Sequence, residues 1–128
     1  MKEEILTLKA PAPIGPYSQA IRAGNFVFLS GQIPIIPETG EVEKGDVEVQ
    51  MERIMKNILS ILEASDMGFD DIVKVNIFLN DLSSFSKVNE VYERYFKKPY
   101  PARTTVEVKG LPRGVGIEVD VIAYKDKN

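Results

Sequence analysis

Apolar and polar positions alternate with the two-residue period of a strand over residues 5–9, 20–23, 26–30, 72–79, 100–108 and 116–124. Between these stretches the period lengthens to that of a helix. Met51, Ile54, Met55, Ile58, Ile61 and Leu62 recur three and four residues apart, with Asp46 as N-cap and Gly68 as stop. The methionines lie on that stripe and read as core packing. After Asp81 and Ser83, the residues Phe85, Val88, Tyr92, Tyr95 and Phe96 fall on one side of a second helix, which Pro99 and Pro101 end. The order is three short strands, helix, strand, helix and two closing strands, and strand 72–79, with Val73, Val75, Ile77 and Leu79 on one face, is the one a helix would feed in a crossover. Two helices on one face of a mostly antiparallel sheet make an α+β layer sandwich.

The connections carry signals of their own. Three prolines and Gly15 exclude a helix from APAPIGPYSQ and leave that loop few shapes, with Tyr17 on a stiff tether at its end. A tyrosine packed at a loop base and a tyrosine touching a ligand fit this position equally. Gly24-Asn25 is a turn that makes a hairpin of residues 20–30. At the end of that hairpin Ser30 offers a hydroxyl to a carboxylate and Gly31 a close backbone approach, although a plain strand end accounts for the same pair. The run QIPIIPETGEVEKG reads as a surface connection.

The last two strands read as a hairpin closed by KGLPRG. In the first, Thr104, Val106 and Val108 alternate with Arg103, Thr105 and Glu107. In the second, Ile117, Val119, Val121 and Ala123 alternate with Glu118, Asp120, Ile122 and Tyr124. If both apolar faces meet one core, Thr105 comes roughly opposite Glu118 and Arg103 lies diagonal to it, about 7–8 Å between Cα atoms. A guanidinium and a carboxyl group then flank a gap that a small molecule can fill; a weak cross-strand salt bridge is the other reading. The charged face also carries Ile122 and Tyr124, so it needs a cover. With no third helix available, a second copy of the sheet is the obvious one.

Composition removes whole classes of chemistry. The chain has no histidine and no cysteine, which excludes disulfides, thiol catalysis, Ser-His-Asp chemistry and the usual zinc ligand sets. Carboxylates, Arg, Lys, Tyr, hydroxyls, backbone and water remain, and no cofactor or metal is expected. The net charge of −3 provides no overall field for nucleic acid or anionic lipid. Lys97-Lys98 and the run from Lys125 to Lys127 are the basic clusters. The start MKEEILTLKAP has no signal-length apolar run and no later stretch could span a bilayer, so the expectation is one cytoplasmic domain with no membrane partner.

APAPIGPYSQAI, FLSGQIP, PARTTVEV and LPRGVGIEVDVIA, four separated motifs in order over nearly the whole chain, closely resemble the RidA (YjgF-type) family of reactive intermediate deaminases. The resemblance implies a single RidA-like domain over residues 1–128, a chorismate-mutase-like fold and a homotrimer with clefts between subunits. It implies hydrolysis of small anionic enamines or imines, 2-iminobutanoate and 2-iminopropanoate, to 2-oxo acids and ammonia. On that reading Arg103 grips the substrate carboxylate with its two-donor fork, and Glu118 activates water and moves protons. Tyr17, Ser30, Gly31, Asn89 and Thr105 line the pocket. Many members carry Cys where this chain has Thr105, so the role there shrinks to carbonyl and shape. Two rivals remain: a noncatalytic trimer that binds small carboxylates as a regulator, and an RNA-acting protein, against which the missing histidine and basic stripe argue.

Overall fold

The computed structural model describes residues 1–126, so Lys127 of the basic run lies outside the described residues. Among the described residues, six strands form one sheet in the order β1-β2-β3-β6-β4-β5. They are β1 (Lys2–Ile5), β2 (Ala20–Ala23), β3 (Phe26–Leu29), β4 (Ile72–Leu79), β5 (Ala102–Glu107) and β6 (Ile117–Tyr124). Every neighbouring pair is antiparallel except β4 and β5. Helices α1 (Val47–Glu63) and α2 (Phe85–Tyr95) cover one face, so the α+β reading holds. Their stripes, Met51, Ile54, Met55, Ile58, Ile61 and Leu62 on α1 and Val88, Val91 and Tyr92 on α2, are buried with Val75, Ile77, Leu79, Ile117, Val119 and Val121 of the sheet. Asp46 caps α1 by accepting the Val49 N–H at 3.1 Å.

The closing strands are not a hairpin. β4, α2 and β5 form a strand-helix-strand unit whose strands pair in parallel, with Val75 beside Arg103 and Ile77 beside Thr105. β6 then returns on the other side of β4, pairing with it and with β3. β4 therefore separates the two strands expected to touch. The faces change too. Val106 shares a cross-strand row with Phe78 and Glu118, so it lies on the face away from the helices. Arg103 and Thr105, odd steps from Val106, face the helices at the sheet edge.

Three local expectations shift. The first strand ends at Ile5 instead of Lys9, because the Gln19 carboxamide takes over the next pairings: it accepts the Thr7 N–H at 2.8 Å and donates to the Thr7 carbonyl at 3.0 Å. Helix α1 stops at Glu63, well before Gly68. Asp66 takes the left-handed conformation (φ 59) that a glycine was expected to supply, and the Met67 N–H closes on the Leu62 carbonyl at 2.9 Å. In β4 a bulge between Ile72 and Lys74 turns Val73 outward and leaves Ile72 buried.

Candidate functional site

Arg103 sits at the sheet edge where β5 faces α2. Its guanidinium lies over the Tyr92 ring, 4.7 Å from the centroid, and within 5.4 Å of the Phe85 ring. It donates to Asn89 Oδ1 at 2.8 Å. Asn89 and Tyr92 are three residues apart on α2, so one turn of helix supplies both the platform and the hydrogen bond. Among the described residues no carboxylate lies within ion-pairing reach of Arg103. The guanidinium is thus held in place by aromatic faces and a neutral amide, with its charge left over for a ligand. It opens on a cleft of ≈ 320 Å³ that Asn89, Glu93, Tyr100 and Pro101 also line. Two buried hydroxyls on this side, Tyr92 Oη and Thr105 Oγ1, have no hydrogen-bond partner among the described residues. Burial pushes the Tyr92 phenol up, and the Arg103 charge pulls against it.

Glu118 stands on the opposite face of the sheet, so the expected convergence of Arg103 and Glu118 within one chain does not occur. Its neighbours are Phe78 in the same cross-strand row and Gly31 at the end of β3. A β-carbon on Gly31 would lie 3.0 Å from Glu118 Cδ, so a glycine is required for the carboxyl group to occupy this place. Burial first, and the Asp120 carboxylate second, push the Glu118 carboxyl above its ordinary range. Asp120 itself is held by Asn76 Nδ2 at 2.8 Å.

The other expected residues fall near Glu118. Tyr17 is half exposed, and together with Gly31 it lines a pocket beneath the 10–17 loop. Its phenol oxygen accepts the Ile14 N–H at 3.3 Å. Ser30 spends its hydroxyl proton on the Ser18 carbonyl at 2.6 Å, which ties the end of β3 to that loop. The expected residues therefore form two groups: Arg103, Asn89 and Thr105 on the helix side of the edge strand, and Glu118, Gly31, Tyr17 and Ser30 at the open face. Sequence reasoning missed Tyr92 and Phe85 as the platform under Arg103. Their place on the apolar stripe of α2 gave them an ordinary core role, and only the parallel pairing of β5 beside β4 brings Arg103 over them.

The fold is a small α+β sandwich that carries an unpaired guanidinium at its sheet edge. A family model described as endoribonuclease L-PSP matches residues 7–125, and the chain belongs to this family, the RidA (YjgF-type) proteins. It is 56% identical to a RutC family protein of Pyrococcus abyssi, over 98% of each chain. It is 50% identical to the chloroplastic Reactive Intermediate Deaminase A of Arabidopsis thaliana, covering 95% of this chain and 65% of the plant protein. The crystal structure of E. coli TdcF with bound serine superposes with a TM-score of 0.91 at 39% identity, over 97% of this chain and 99% of that one. The family thus includes a reactive intermediate deaminase, while other relatives carry only the general RutC name. Among the described residues no helix is long and apolar enough to cross a membrane, and no group of acidic side chains is placed to hold a metal ion.

Proposed function

We propose that this protein hydrolyses small anionic enamines and imines, 2-iminopropanoate and 2-iminobutanoate among them, to 2-oxo acids and ammonia. The observation that carries the reading is the unpaired Arg103 guanidinium, stacked and hydrogen-bonded in place beside an open cleft. Such a fork reads a carboxylate in two-point geometry. The name of the plant relative and the serine bound to TdcF agree with a small substrate bearing a carboxylate.

The reaction adds water to the imine carbon, protonates the nitrogen and expels it as ammonia, leaving a carbonyl. Glu118 has the chemistry for the proton transfers: its raised pKa brings it toward neutral pH as an acceptor and donor. Arg103 and Glu118 lie on opposite faces of one sheet, so one centre needs Arg103 from one copy and Glu118 from another. A contact between the edge cleft of one copy and the open face of the next joins two different surfaces. Repeated head to tail, such a contact builds a ring, of which three copies make the smallest; a two-fold pair that exchanges both contacts is the alternative, and the mass of the assembly distinguishes them. The apolar side chains Phe26, Phe28, Val106 and Ile122 on the open face support this homotrimer. The ribonuclease reading that the family description carries finds less support, because the Arg103 cleft includes Glu93 and offers no basic stripe.

The test supplies 2-iminobutanoate from a threonine dehydratase and follows 2-oxo acid release against the uncatalysed rate. Wild-type protein should accelerate release. Arg103→Lys, which loses a charge-assisted hydrogen bond and its fork, should lower kcat/KM by about tenfold to a hundredfold while leaving the assembly intact. Near-normal turnover by soluble Arg103→Lys would overturn the assignment. Failure of the wild type on several imines would leave a carboxylate-binding protein without turnover.

A further inference from the structure

Gly31, which makes room for the Glu118 carboxyl, is also a wall of a separate pocket of ≈ 210 Å³ between the 10–17 loop and the 33–40 connection. Its walls are mostly apolar, from Ile14, Ile33, Ile35 and Pro37. Tyr17, Gln19, Gln32 and Arg113 break this pattern; Tyr17 and Gln19 are already hydrogen-bonded to the backbone of their own loop, which leaves two side chains with unused capacity. Gln32 is only 6% exposed, yet its carboxamide makes a single long hydrogen bond, 3.4 Å from Nε2 to the Ser30 carbonyl. Its carboxamide oxygen accepts nothing from the described residues. The Gln32 backbone is locked to Val119 in both directions, at 2.8 and 3.0 Å, which holds the pocket against the residue that follows Glu118.

Arg113 is the second. It lies in the short turn Pro112–Gly114 that leads into β6, at the same end of the strand as Glu118, and takes φ 58, uncommon outside glycine. One guanidinium nitrogen donates to the Gly40 carbonyl at 2.9 Å. Among the described residues no carboxylate pairs with it, so its other donors remain free at the pocket wall. An apolar pocket with one buried, underused amide and one free guanidinium suits a ligand whose short hydrocarbon chain ends in an anion.

We propose that this pocket is the side-chain subsite of the Glu118 centre, and that Gln32 and Arg113 equip it for 2-imino acids carrying a second carboxylate. This rests on the imine hydrolase reading above. A substrate whose reacting carbon lies at Glu118 passes its side chain by Gly31. A chain of one or two methylenes lies along the isoleucines, and its terminal carboxylate meets Arg113 with an N–H from Gln32. Imines with a methyl or ethyl side chain leave Arg113 unused.

The experiment compares kcat/KM for two imines made in situ by amino-acid oxidases, one from alanine and one from glutamate. It uses wild type, Arg113→Asn, whose new side chain tolerates the left-handed backbone, and Arg113→Glu. The readout is the ratio of the dicarboxylic to the monocarboxylic substrate, which cancels any general loss through the Gly40 contact. The ratio should fall about tenfold or more in Arg113→Asn, the worth of a hydrogen bond to a charged group, and further in Arg113→Glu. An unchanged ratio in both variants, with alanine-derived imine still hydrolysed, would overturn the subsite alone. No turnover of either imine by the wild type would overturn the parent reading and the subsite together.

Discussion

Arg103 and Glu118 show how a side chain's task is set by what surrounds it. The Arg103 fork rests on two aromatic rings and one amide, and among the described residues no carboxylate pairs with it. Glu118 has the reverse surroundings: burial first, and the Asp120 charge second, make its carboxyl hold its proton to higher pH than the ordinary value of 4.5. Between that value and the raised native one the folded chain binds more protons than the unfolded chain, so stability falls as pH rises through this window. In an Arg103→Ala background, where no guanidinium can offset the charge, Glu118→Gln should therefore raise the melting temperature at pH 7. The gain should shrink as pH falls toward 4.5 and vanish by about pH 3, where both states are protonated. Thermal melts across that range test it, and a variant less stable at pH 7 would contradict the sign. Arg103 and Glu118 could be singled out in the sequence because their residue types allow few tasks. The Tyr92 platform was not, since a stripe position on α2 says nothing of a cation on a distant strand.

The elements matter because α2 carries both Asn89 and Tyr92, so whatever anchors this helix anchors the cleft. Its last turn is clamped to α1: the Tyr95 hydroxyl donates to Glu52, and Arg94 pairs with the same carboxylate at 2.8 Å. Burial, with the Glu52 hydrogen bond and charge next, pushes the Tyr95 phenol up to about 12. Its contribution is complete below about pH 10, its unfolded value, and is lost as pH rises through about 12. Tyr95→Phe should cost about 1 kcal/mol in urea unfolding at pH 7, with the difference shrinking toward pH 11.5. A pH-independent difference would mean that the ring alone matters. Both helices were legible because a stripe of period 3.6 is a local property. The ends were less so: β1 stops where the Gln19 carboxamide, twelve residues from Thr7, captures the backbone, and α1 stops on Asp66 without a glycine.

At the scale of the whole molecule, the sheet has one face buried by helices and another that leaves Phe26 and Phe28 more than 40% exposed beside Tyr124 and Ile122. A homotrimer built on this face would bring a neighbour's Arg103 to Glu118. Phe28→Asp should then lower the mass measured by light scattering toward that of a single chain, keep the circular dichroism of a folded protein, and abolish imine hydrolysis with the divided centre. Retention of a large assembly with full activity would place the contact elsewhere. The expectation of a cover came from the sequence, where Ile122 and Tyr124 share one face with Glu118 and Asp120, and the exposed Phe26 and Phe28 on that face agree with it.

The sequence by itself determined the class of fold, the two helices with their buried stripes, the turn at Gly24, the family and the residue types able to act. Each is carried by local periodicity, backbone preference or the absence of histidine and cysteine. Only the tertiary structure decided which strands are neighbours. Alternation specifies the faces of a strand and not its partner, so the closing strands looked like a hairpin until β4 was found between them. That one insertion sends Arg103 to the helix side and Glu118 to the open face. On the proposed function, a reaction centre that one chain seemed to hold would then be shared between two copies.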